Sequence, residues 1–320
     1  MGATPAIYPD QILSNVSVEF TQPGLAAQKF LPRVPVPTIS GRIPKAGFER
    51  FHRYNTAYFP GGEAREMIRS NIILDAYLCA PHYIKKLVSD TERKASNLPG
   101  FEVDVTTTNE VTEIIWLDLE FAAFNLITGG VSGATLAGPN QWSDYVNSDP
   151  IAAIEAQKPT ILKGATREAS KLGLGYDTFI ALKSHPKILD RIKYTQRGVI
   201  TPDILAGLFD VGEVVILSAL YDASANAAQG RFGSVNAATS PLDFVWSKIA
   251  LLAFVPDTPA VRTPALGYSY WFSDTVPGGG PAVYRYRWEI REGEFIECRS
   301  FWDVRLVRAQ AGYLWQSCIA

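Results

Sequence analysis

The stretch Thr107–Gly129, TTNEVTEIIWLDLEFAAFNLITG, decides the fold class of this chain. Thr107 followed three residues later by Glu110 is a capping-box pattern, and the glycines at 129 and 130 favour the left-handed conformation that ends helices. Apolar residues at the spacing of one buried helical face lie between these ends: Val111, Ile114, Ile115, Phe121, Ala122 and Phe124. Further apolar residues fall on a second face: Trp116, Leu119 and Leu126. We predict one long helix that must be covered, either by a sheet of its own domain or by a neighbouring subunit.

Length and composition indicate a large globular protein. The 320 residues suffice for one large domain or two modest ones, and 47% hydrophobic with 19% charged residues excludes wholesale disorder. No apolar run is long enough to cross a bilayer. The net charge of −2 argues against a dedicated nucleic-acid-binding protein. Three widely spaced cysteines and an N-terminus without a signal-segment pattern favour free thiols in a reducing cytoplasm.

The first 77 residues look like segments that lie against something else. Residues 1–44 are rich in proline, which favours an extended arm, and Asp10–Phe20 is compatible with a short helix or strand inside it. In Gly41–Tyr77, aromatic and charged residues alternate around a Pro60-Gly61-Gly62 turn. This period predicts a projecting two-stranded hairpin, and isolated hairpins need a partner.

Downstream of the long helix, the pattern predicts a second helix and then a compact α/β unit. The helix covers about Ile151–Ser170, with Ser148 or Asp149 as its cap and a kink or a division at Pro159. The predicted elements of the α/β unit are strands at Lys171–Gly175, Val214–Leu217 and Val245–Val255 and helices at Tyr176–Ser184, Pro186–Tyr194 and Pro202–Asp210. The last part predicts a β-hairpin with a turn at Glu292–Glu294 and a return strand at Phe295–Leu306.

The residues that could carry chemistry form no recognisable site. His52, His82 and His185 lack catalytic neighbours, and Cys79 with His82 is a lone pair without the further ligands that structural zinc needs. His185 before Pro186 is predicted to cap or separate two helices. The glycines of Gly173–Gly175 and Gly278–Gly280 lack the remaining parts of a phosphate-binding loop. We read the acidic pairs Asp118/Glu120 and Glu292/Glu294 as solvated charges and inter-element salt bridges. No catalytic, cofactor or metal site is predicted.

Four segments together resemble the major capsid proteins of tailed bacteriophages, which have the Hong Kong-type capsid fold. The arm DQILSNVSVEFTQPGLAAQKFLPRVPVP, residues 10–37, contains the phrase Ala27-Gln28-Lys29-Phe30-Leu31-Pro32-Arg33-Val34-Pro35-Val36 of one branch of that family. EVTEIIWLDLEFAAFNLI resembles the spine helix, QWSDYVNSDPIAAI the segment entering the second helix, and GYDTFIALKSHPKILDRIK the first helices of the axial domain. The spine helix departs from many relatives, which carry charged residues at the positions of Leu119 and Phe121.

The resemblance implies an α+β architecture. Its expected parts are an N-terminal arm (1–40), an extended β-hairpin loop (41–77), a peripheral domain with the spine helix (78–170), an axial domain (171–256), and peripheral-domain strands with a C-terminal return to the axial domain (257–320). It further implies a non-enzymatic shell protein, made in the host cytoplasm and found in the virion, whose copies form hexamers and pentamers around double-stranded DNA. The expected partners besides other copies are scaffolding, portal and decoration or cement proteins, with no membrane; a cleaved form is the alternative to a separate scaffold.

Subunit interfaces are expected where the arm and the loop lie across neighbours. The candidate contact residues are Phe48, Phe51 and Tyr54 of the loop, Phe30 and Val34 of the arm and Trp116 of the spine helix. Two other interpretations remain. An encapsulin-like compartment would share the fold and enclose enzymes, and a small-molecule α/β enzyme would need a polar pocket around His185 or His52.

Overall fold

The computed structural model describes residues 24–47, 51–54, 56–57, 72–95, 100–193, 200–223, 242–259, 264–273 and 279–320. Its helices are α1 (Ala27–Phe30), α2 (Asp90–Ala95), α3 (Gly100–Gly130), α4 (Pro150–Ala165), α5 (Tyr176–Lys183), α6 (Pro186–Ile192) and α7 (Pro202–Phe209). The first strands are β1 (Arg33–Val36), β2 (Ser40–Ala46), β3 (Ile72–Leu78), β4 (Ala80–Ser89), β5 (Gly133–Thr135), β6 (Lys171–Gly175) and β7 (Glu213–Leu217). The later strands are β8 (Leu220–Asp222), β9 (Leu242–Phe244), β10 (Ala250–Ala253), β11 (Gly267–Phe272), β12 (Ala282–Trp288), β13 (Gly293–Leu306) and β14 (Gly312–Gln316).

Two five-stranded sheets organise the fold. In the first, called the β13 sheet, the 14-residue strand β13 pairs with β12 and β11 in succession and with β4, and β1 adds to β11 in parallel. In the second, called the β10 sheet, the order is β5-β14-β10-β6-β7, with β6 and β7 parallel. Two-stranded pairs are formed by β2 with β3 and by β8 with β9.

The long helix α3 is covered by its own chain, since it contributes to the hydrophobic clusters of both halves of the molecule. Val111 and Ile115 pack with Ile296 of the β13 sheet. From Trp116 onward, the buried residues of the helix pack with the arm and with the β10 sheet: Trp116, Leu119, Ala123 and Ile127. This covering comes from sheets of the same chain, which is one of the two coverings predicted.

The structure corrects two details of the predicted helix. It begins at Gly100, not at Thr107, and Thr107 is a buried residue in its second turn, so the capping-box prediction was wrong. The predicted main face was also wrong in part. Ile114 is 48% exposed, whereas Trp116 and Leu119, which were predicted to lie on the second face, are buried. The end, at Gly130, agrees with the prediction within one residue.

The α/β half follows the predicted order closely. Asp149 is the N-cap of α4, because its side chain accepts a hydrogen bond from the backbone N–H of Ala152 at 3.1 Å. Helix α4 runs through Pro159 without being divided, contrary to one of the two predicted outcomes. The predicted long strand Val245–Val255 is confined to Ala250–Ala253 at the centre of the β10 sheet.

The predicted hairpin in the first third of the chain is confirmed at its base. Strands β2 and β3 pair antiparallel from Ser40↔Leu78 to Ala46↔Ile72. The predicted turn at residues 60–62 and the segment Asp10–Phe20 lie outside the described residues. The C-terminal hairpin of β12 and β13 is confirmed, but its turn covers residues 289–292, and Gly293 and Glu294 of the predicted turn are the first residues of β13.

Candidate assembly surfaces

His185 has a structural role that its sequence context predicted. It caps α6, because its Nδ1 accepts a hydrogen bond from the backbone N–H of Lys187 at 3.3 Å. Its Nε2 lies 3.0 Å from Ser148 Oγ, which itself donates to the carbonyl of Asp144 at 2.6 Å. The neutral imidazole with its proton on Nε2 satisfies all these contacts. Burial lowers the pKa of His185, which favours this neutral form.

The Cys79 and His82 side chains have separate partners. The Sγ of Cys79 is buried and donates to the carbonyl of Tyr270 at 3.6 Å, whereas His82 Nδ1 lies 2.8 Å from Asp118 Oδ2. The ring of His82 also stacks on Trp302, with 3.9 Å between centroids. Within the described ranges, no three His, Cys, Asp or Glu side chains are grouped so that they could hold a metal ion. None of the helices in that part of the chain is long and apolar enough to cross a membrane.

Glu120 is a buried charged residue whose role in holding the arm the sequence interpretation missed. Its side chain is buried, and its carboxylate accepts hydrogen bonds from the backbone N–H groups of Ala26 (3.1 Å) and Ala27 (2.8 Å) and from Trp246 Nε1 (2.5 Å). Burial raises the pKa of Glu120, although these hydrogen bonds act in the opposite direction. The expectation of a solvated charge was therefore wrong for Glu120. A signal was present, because Glu120 follows the buried Trp116 by four residues and precedes Ala123 by three.

The arm residues that follow these amides lie in the core of their own chain. Phe30 and Leu31 are buried in the same cluster as Trp246 and Trp271. Arg33 lies over the ring of Trp271, with 5.0 Å between the guanidinium carbon and the ring centroid. The arm is thus docked onto its own subunit over residues 24–36.

Two glycines that resembled part of a phosphate loop have a packing role. A Cβ on Gly173 would come within 2.7 Å of the Phe30 ring, and one on Gly175 within 2.3 Å of the Trp246 carbonyl oxygen. Both positions therefore require glycine so that the arm and the Trp246 segment can approach β6.

A four-residue charge network ties α2 and α3 to the β13 sheet. Arg93 contacts Asp104 (2.6 Å) and Glu294 (2.9 Å), and Arg285 contacts Asp104 at 3.2 Å and Glu294 at 2.5 Å. Burial alone would raise the pKa of Glu294, but the hydrogen bonds from the two arginines outweigh it and the pKa is lowered. The predicted inter-element salt bridge is therefore present at Glu294.

One face of the β13 sheet presents aromatic rings interleaved with charges. Arg299 lies between Tyr83 and Tyr284, with 5.2 and 4.4 Å from its guanidinium carbon to the ring centroids, and its Nε donates to Glu297 at 2.6 Å. Tyr83 is 54% exposed. A cleft of about 630 Å³ opens between β4, α3 and the hairpin tip, with Trp288 among its lining residues. Aromatic residues and arginine are enriched in protein contact surfaces.

The base of the extended hairpin also exposes large apolar side chains. Leu74, Leu78 and Ile39 are 53%, 58% and 44% exposed. A further exposed apolar side chain is that of Val146, which is 84% exposed in the middle of the turn at residues 145–147. Asp144 fixes that turn, since its carboxylate accepts the backbone N–H groups of Val146 and Asn147 at 3.1 Å.

The six residues proposed for subunit contacts fall into different settings. Phe51 is 57% exposed and Tyr54 is half-buried, while Phe48 lies outside the described residues. Val34 is half-buried against the cluster of Tyr268 and Tyr270. Phe30 and Trp116 are buried in the core of their own chain, so in this conformation they offer no surface to a neighbour.

Comparison with known proteins identifies the fold. No protein-family model matches the chain. The major capsid protein of Burkholderia phage BcepMu is 25% identical over 312 residues, which cover 95% of both chains. The crystal structure of a phage-related protein from Bordetella bronchiseptica RB50 is similar with a TM-score of 0.76 at 25% identity, covering 98% of both chains. The mature capsid of bacteriophage PhiM1 is similar with a TM-score of 0.53 at 11% identity, covering 93% of this chain and 88% of the other. The predicted fold is thereby confirmed: the chain has the Hong Kong-type fold of phage capsid proteins.

Proposed function

We propose that this chain is a phage major capsid protein whose copies form the hexamers and pentamers of an icosahedral shell. The observation that carries this proposal is the similarity to the capsid protein of phage BcepMu, which extends over 95% of both chains. A similarity that spans both halves of the fold concerns the whole architecture and not one shared module. The function is structural, and it requires no catalytic centre.

The parts of the subunit have corresponding roles in this proposal. The hairpin loop (41–77) connects subunits, and the arm (1–40) docks on its own subunit over residues 24–36. Residues 78–170 and 257–320 form the peripheral domain, and residues 171–256 form the axial domain around the centres of hexamers and pentamers. Exposed apolar residues at the base of the loop support a role in contacts, because such patches mark interaction surfaces. Phe51 and Tyr54, with Phe48, are the contact residues proposed for the loop.

Double-stranded DNA is the proposed content of the shell, held without sequence specificity. A net charge of −2 suits this role, since a strongly basic lining would bind the genome tightly along its length. The protein is made in the host cytoplasm and functions in the virion. Its other partners are scaffolding, portal and decoration proteins.

Electron microscopy with size-exclusion chromatography tests the proposal. The purified chain is analysed alone and together with the products of its neighbouring genes. Closed shells, or hexameric and pentameric rings, are the expected result. A chain that stays monomeric under all these conditions would contradict the proposal. Particles that contain a host enzyme and no nuclease-resistant DNA would instead support the encapsulin-like interpretation.

A further inference from the structure

The arm segment Gly24–Val36 contacts the long helix, the β10 sheet and the β13 sheet. At the helix, two consecutive backbone N–H groups, those of Ala26 and Ala27, donate to the Glu120 carboxylate. The third donor, Trp246 Nε1, belongs to the segment that leads into the central strand β10. Glu120 therefore joins the arm, the helix and the β10 sheet at one point.

Side chains of α1 extend the contact with the β10 sheet. The ring of Phe30 fills the space left by Gly173 of β6, and Lys29 Nζ lies 3.0 Å from Glu213 Oε1 of β7. Lys171 Nζ donates to the carbonyl of Lys29 at 3.2 Å. The arm therefore crosses β6 and β7 with both polar and apolar contacts.

The continuation of the arm is part of the β13 sheet. Strand β1 pairs in parallel with β11, from Arg33↔Ser269 to Val36↔Phe272. Ser269 adds two hydrogen bonds before the strand, from its N–H to the Pro32 carbonyl and from its Oγ to the Leu31 carbonyl, both at 3.1 Å. Within five residues the arm passes from one sheet to the other.

We propose that Gly24–Val36 is an interdomain clip, which fixes the β10 sheet relative to the β13 sheet, and that Glu120 is the positioning residue that sets where the clip docks. This inference goes beyond the proposed shell function and concerns the single subunit.

Chemistry explains why a carboxylate is suited to this position. Apolar contacts such as those of Phe30 tolerate small shifts, whereas a carboxylate with two oxygens accepts N–H groups only at defined positions. Strand β1 has four residues and contains Pro35, so its own ladder specifies the register weakly. No cation of the described residues pairs with Glu120, and a buried carboxylate is costly without its donors. Docking of the clip and burial of Glu120 are therefore coupled.

Hydrogen exchange on the free subunit tests this inference. Peptides covering residues 24–36, 186–192 and 267–272 are followed by mass spectrometry in the wild type, in Glu120→Gln and in Glu120→Leu. We expect exchange in residues 24–36 to accelerate on the order of tenfold or more in both variants, because hydrogen bonds to a charged group are lost. Exchange in β11 should also accelerate, whereas α6, whose buried residues Ile188 and Ile192 pack in a different hydrophobic cluster, should keep its protection.

Two further variants make the result specific. Glu110→Gln changes a carboxylate on the same helix that pairs with Lys86 at the surface, and it should leave the clip unchanged. Trp246→Phe removes one hydrogen-bond donor to Glu120 while keeping an aromatic ring, so it should increase exchange in residues 24–36 less than Glu120→Gln does. If the Glu120 variants do not fold, exchange in Trp246→Phe tests the proposal. Wild-type protection of residues 24–36 in Trp246→Phe and in every folded Glu120 variant would overturn the proposal. The experiment requires no shell, so its outcome is separate from that of the assembly test.

Discussion

At the scale of single residues, His185 is the group whose charge state the structure constrains most visibly. Both ring nitrogens are occupied, Nδ1 as an acceptor for Lys187 N–H and Nε2 beside Ser148 Oγ. A second proton on Nδ1 would point at the Lys187 N–H group. Burial lowers the pKa, the nearby Lys187 charge adds to this, and Asp149 partly opposes it. The folded protein therefore holds this imidazole neutral.

We predict a loss of stability in mild acid that depends on His185. Because its pKa is lowered in the folded state, the unfolded chain binds the proton first, and stability present above the usual pKa of about 6.5 is lost as the pH falls below it. Urea unfolding at pH 7.5 and 5.5 measures the effect. His185→Asn keeps a capping side chain and cannot titrate, so it should show a smaller difference between the two pH values. An equal difference in both proteins would contradict the prediction.

Asp118 and Glu120 show what the sequence could and could not reveal at this scale. Residues two apart on a helix point in different directions, and this was predicted. Asp118 is indeed exposed and contacts His82. Glu120 faces the core, as its helical spacing to Trp116 and Ala123 indicates. Its partners Ala26 and Trp246 lie 94 and 126 residues away in sequence, and no local pattern identifies them.

At the scale of elements, the sequence predicts the same role for the arm and the loop, which is contact with neighbouring subunits. The structure separates them, because Phe30 is fully buried in its own chain and Phe51 is 57% exposed. These two phenylalanines form a natural matched pair for mutation.

We predict opposite effects for Phe30→Ala and Phe51→Ala. Phe30→Ala should lower the free energy of unfolding of the subunit by about 3–5 kcal/mol, because it leaves a cavity between α1, β6 and α3. Phe51→Ala should change the free energy of unfolding by no more than about 0.5 kcal/mol, but it should reduce the assembly of particles. Urea unfolding of the free subunit and light scattering of assembling particles measure the two effects. Normal assembly of Phe51→Ala would remove this residue from the proposed interface.

The end of helix α4 offers a test of backbone strain. Its C-cap, Thr166, has φ 57° and ψ 20°, a left-handed conformation that is unfavourable for a β-branched residue. Thr166→Gly should therefore stabilise the protein by about 1 kcal/mol. Asp210 has a similar φ of 49° after α7, but aspartate tolerates this region and its side chain contacts Lys158. Asp210→Gly should give a smaller gain in stability than Thr166→Gly. Thermal unfolding of the two variants measures this difference. A loss of stability in Thr166→Gly would show that its side-chain contacts outweigh the strain.

Elements with strong end signals were predicted well, and those defined by distant partners were not. Proline at the first position and a capping residue before it placed α4 and α6 within a few residues. The start of α3 was missed, because Phe101, Val103 and Val105 recur at every second position, which is the period of a strand and not that of a helix. The length of β10 was overestimated, since an apolar run cannot distinguish a strand from the buried turns around it.

At the scale of the whole molecule, the cysteines report on separate regions of the core. Cys79 belongs to the cluster around Tyr268 and Tyr270, Cys298 to the cluster under α3, and Cys318 to the cluster of the α/β half. All three are unpaired and buried, in line with the free thiols predicted. Burial raises the pKa of Cys79 to about 11 and those of Cys298 and Cys318 to about 12.

We predict that none of the three thiols reacts at pH 8 until its part of the fold opens. The reactive species is the thiolate, and both burial and the raised pKa suppress it. Variants that retain one cysteine each, treated with a chromogenic disulfide reagent, would give three separate rates. Cys298 should be slowest, because it lies between β4 and β12 in the middle of β13. A thiol that reacts as fast as a small free thiol in the folded protein would contradict this picture.

The order of elements along the chain revealed the fold class, whereas the assembly of the sheets was not predictable. The parallel pairing of β1 with β11 joins the arm to a strand near the other end of the chain. The β13 sheet also combines strands from three distant segments. Hydrophobic periods show that a segment is buried, but not what covers it.

The docking of the arm has a consequence for how the protein is made. Leu31 and its partner Ser269 are 238 positions apart. At about 5–20 residues per second, a ribosome needs about 10–50 s to extend the chain from one to the other. Throughout that time the apolar face of the arm has no strand to join, and it is available to molecular chaperones. Only a nearly finished polypeptide can close its own arm, so translation itself delays the moment at which a subunit is complete.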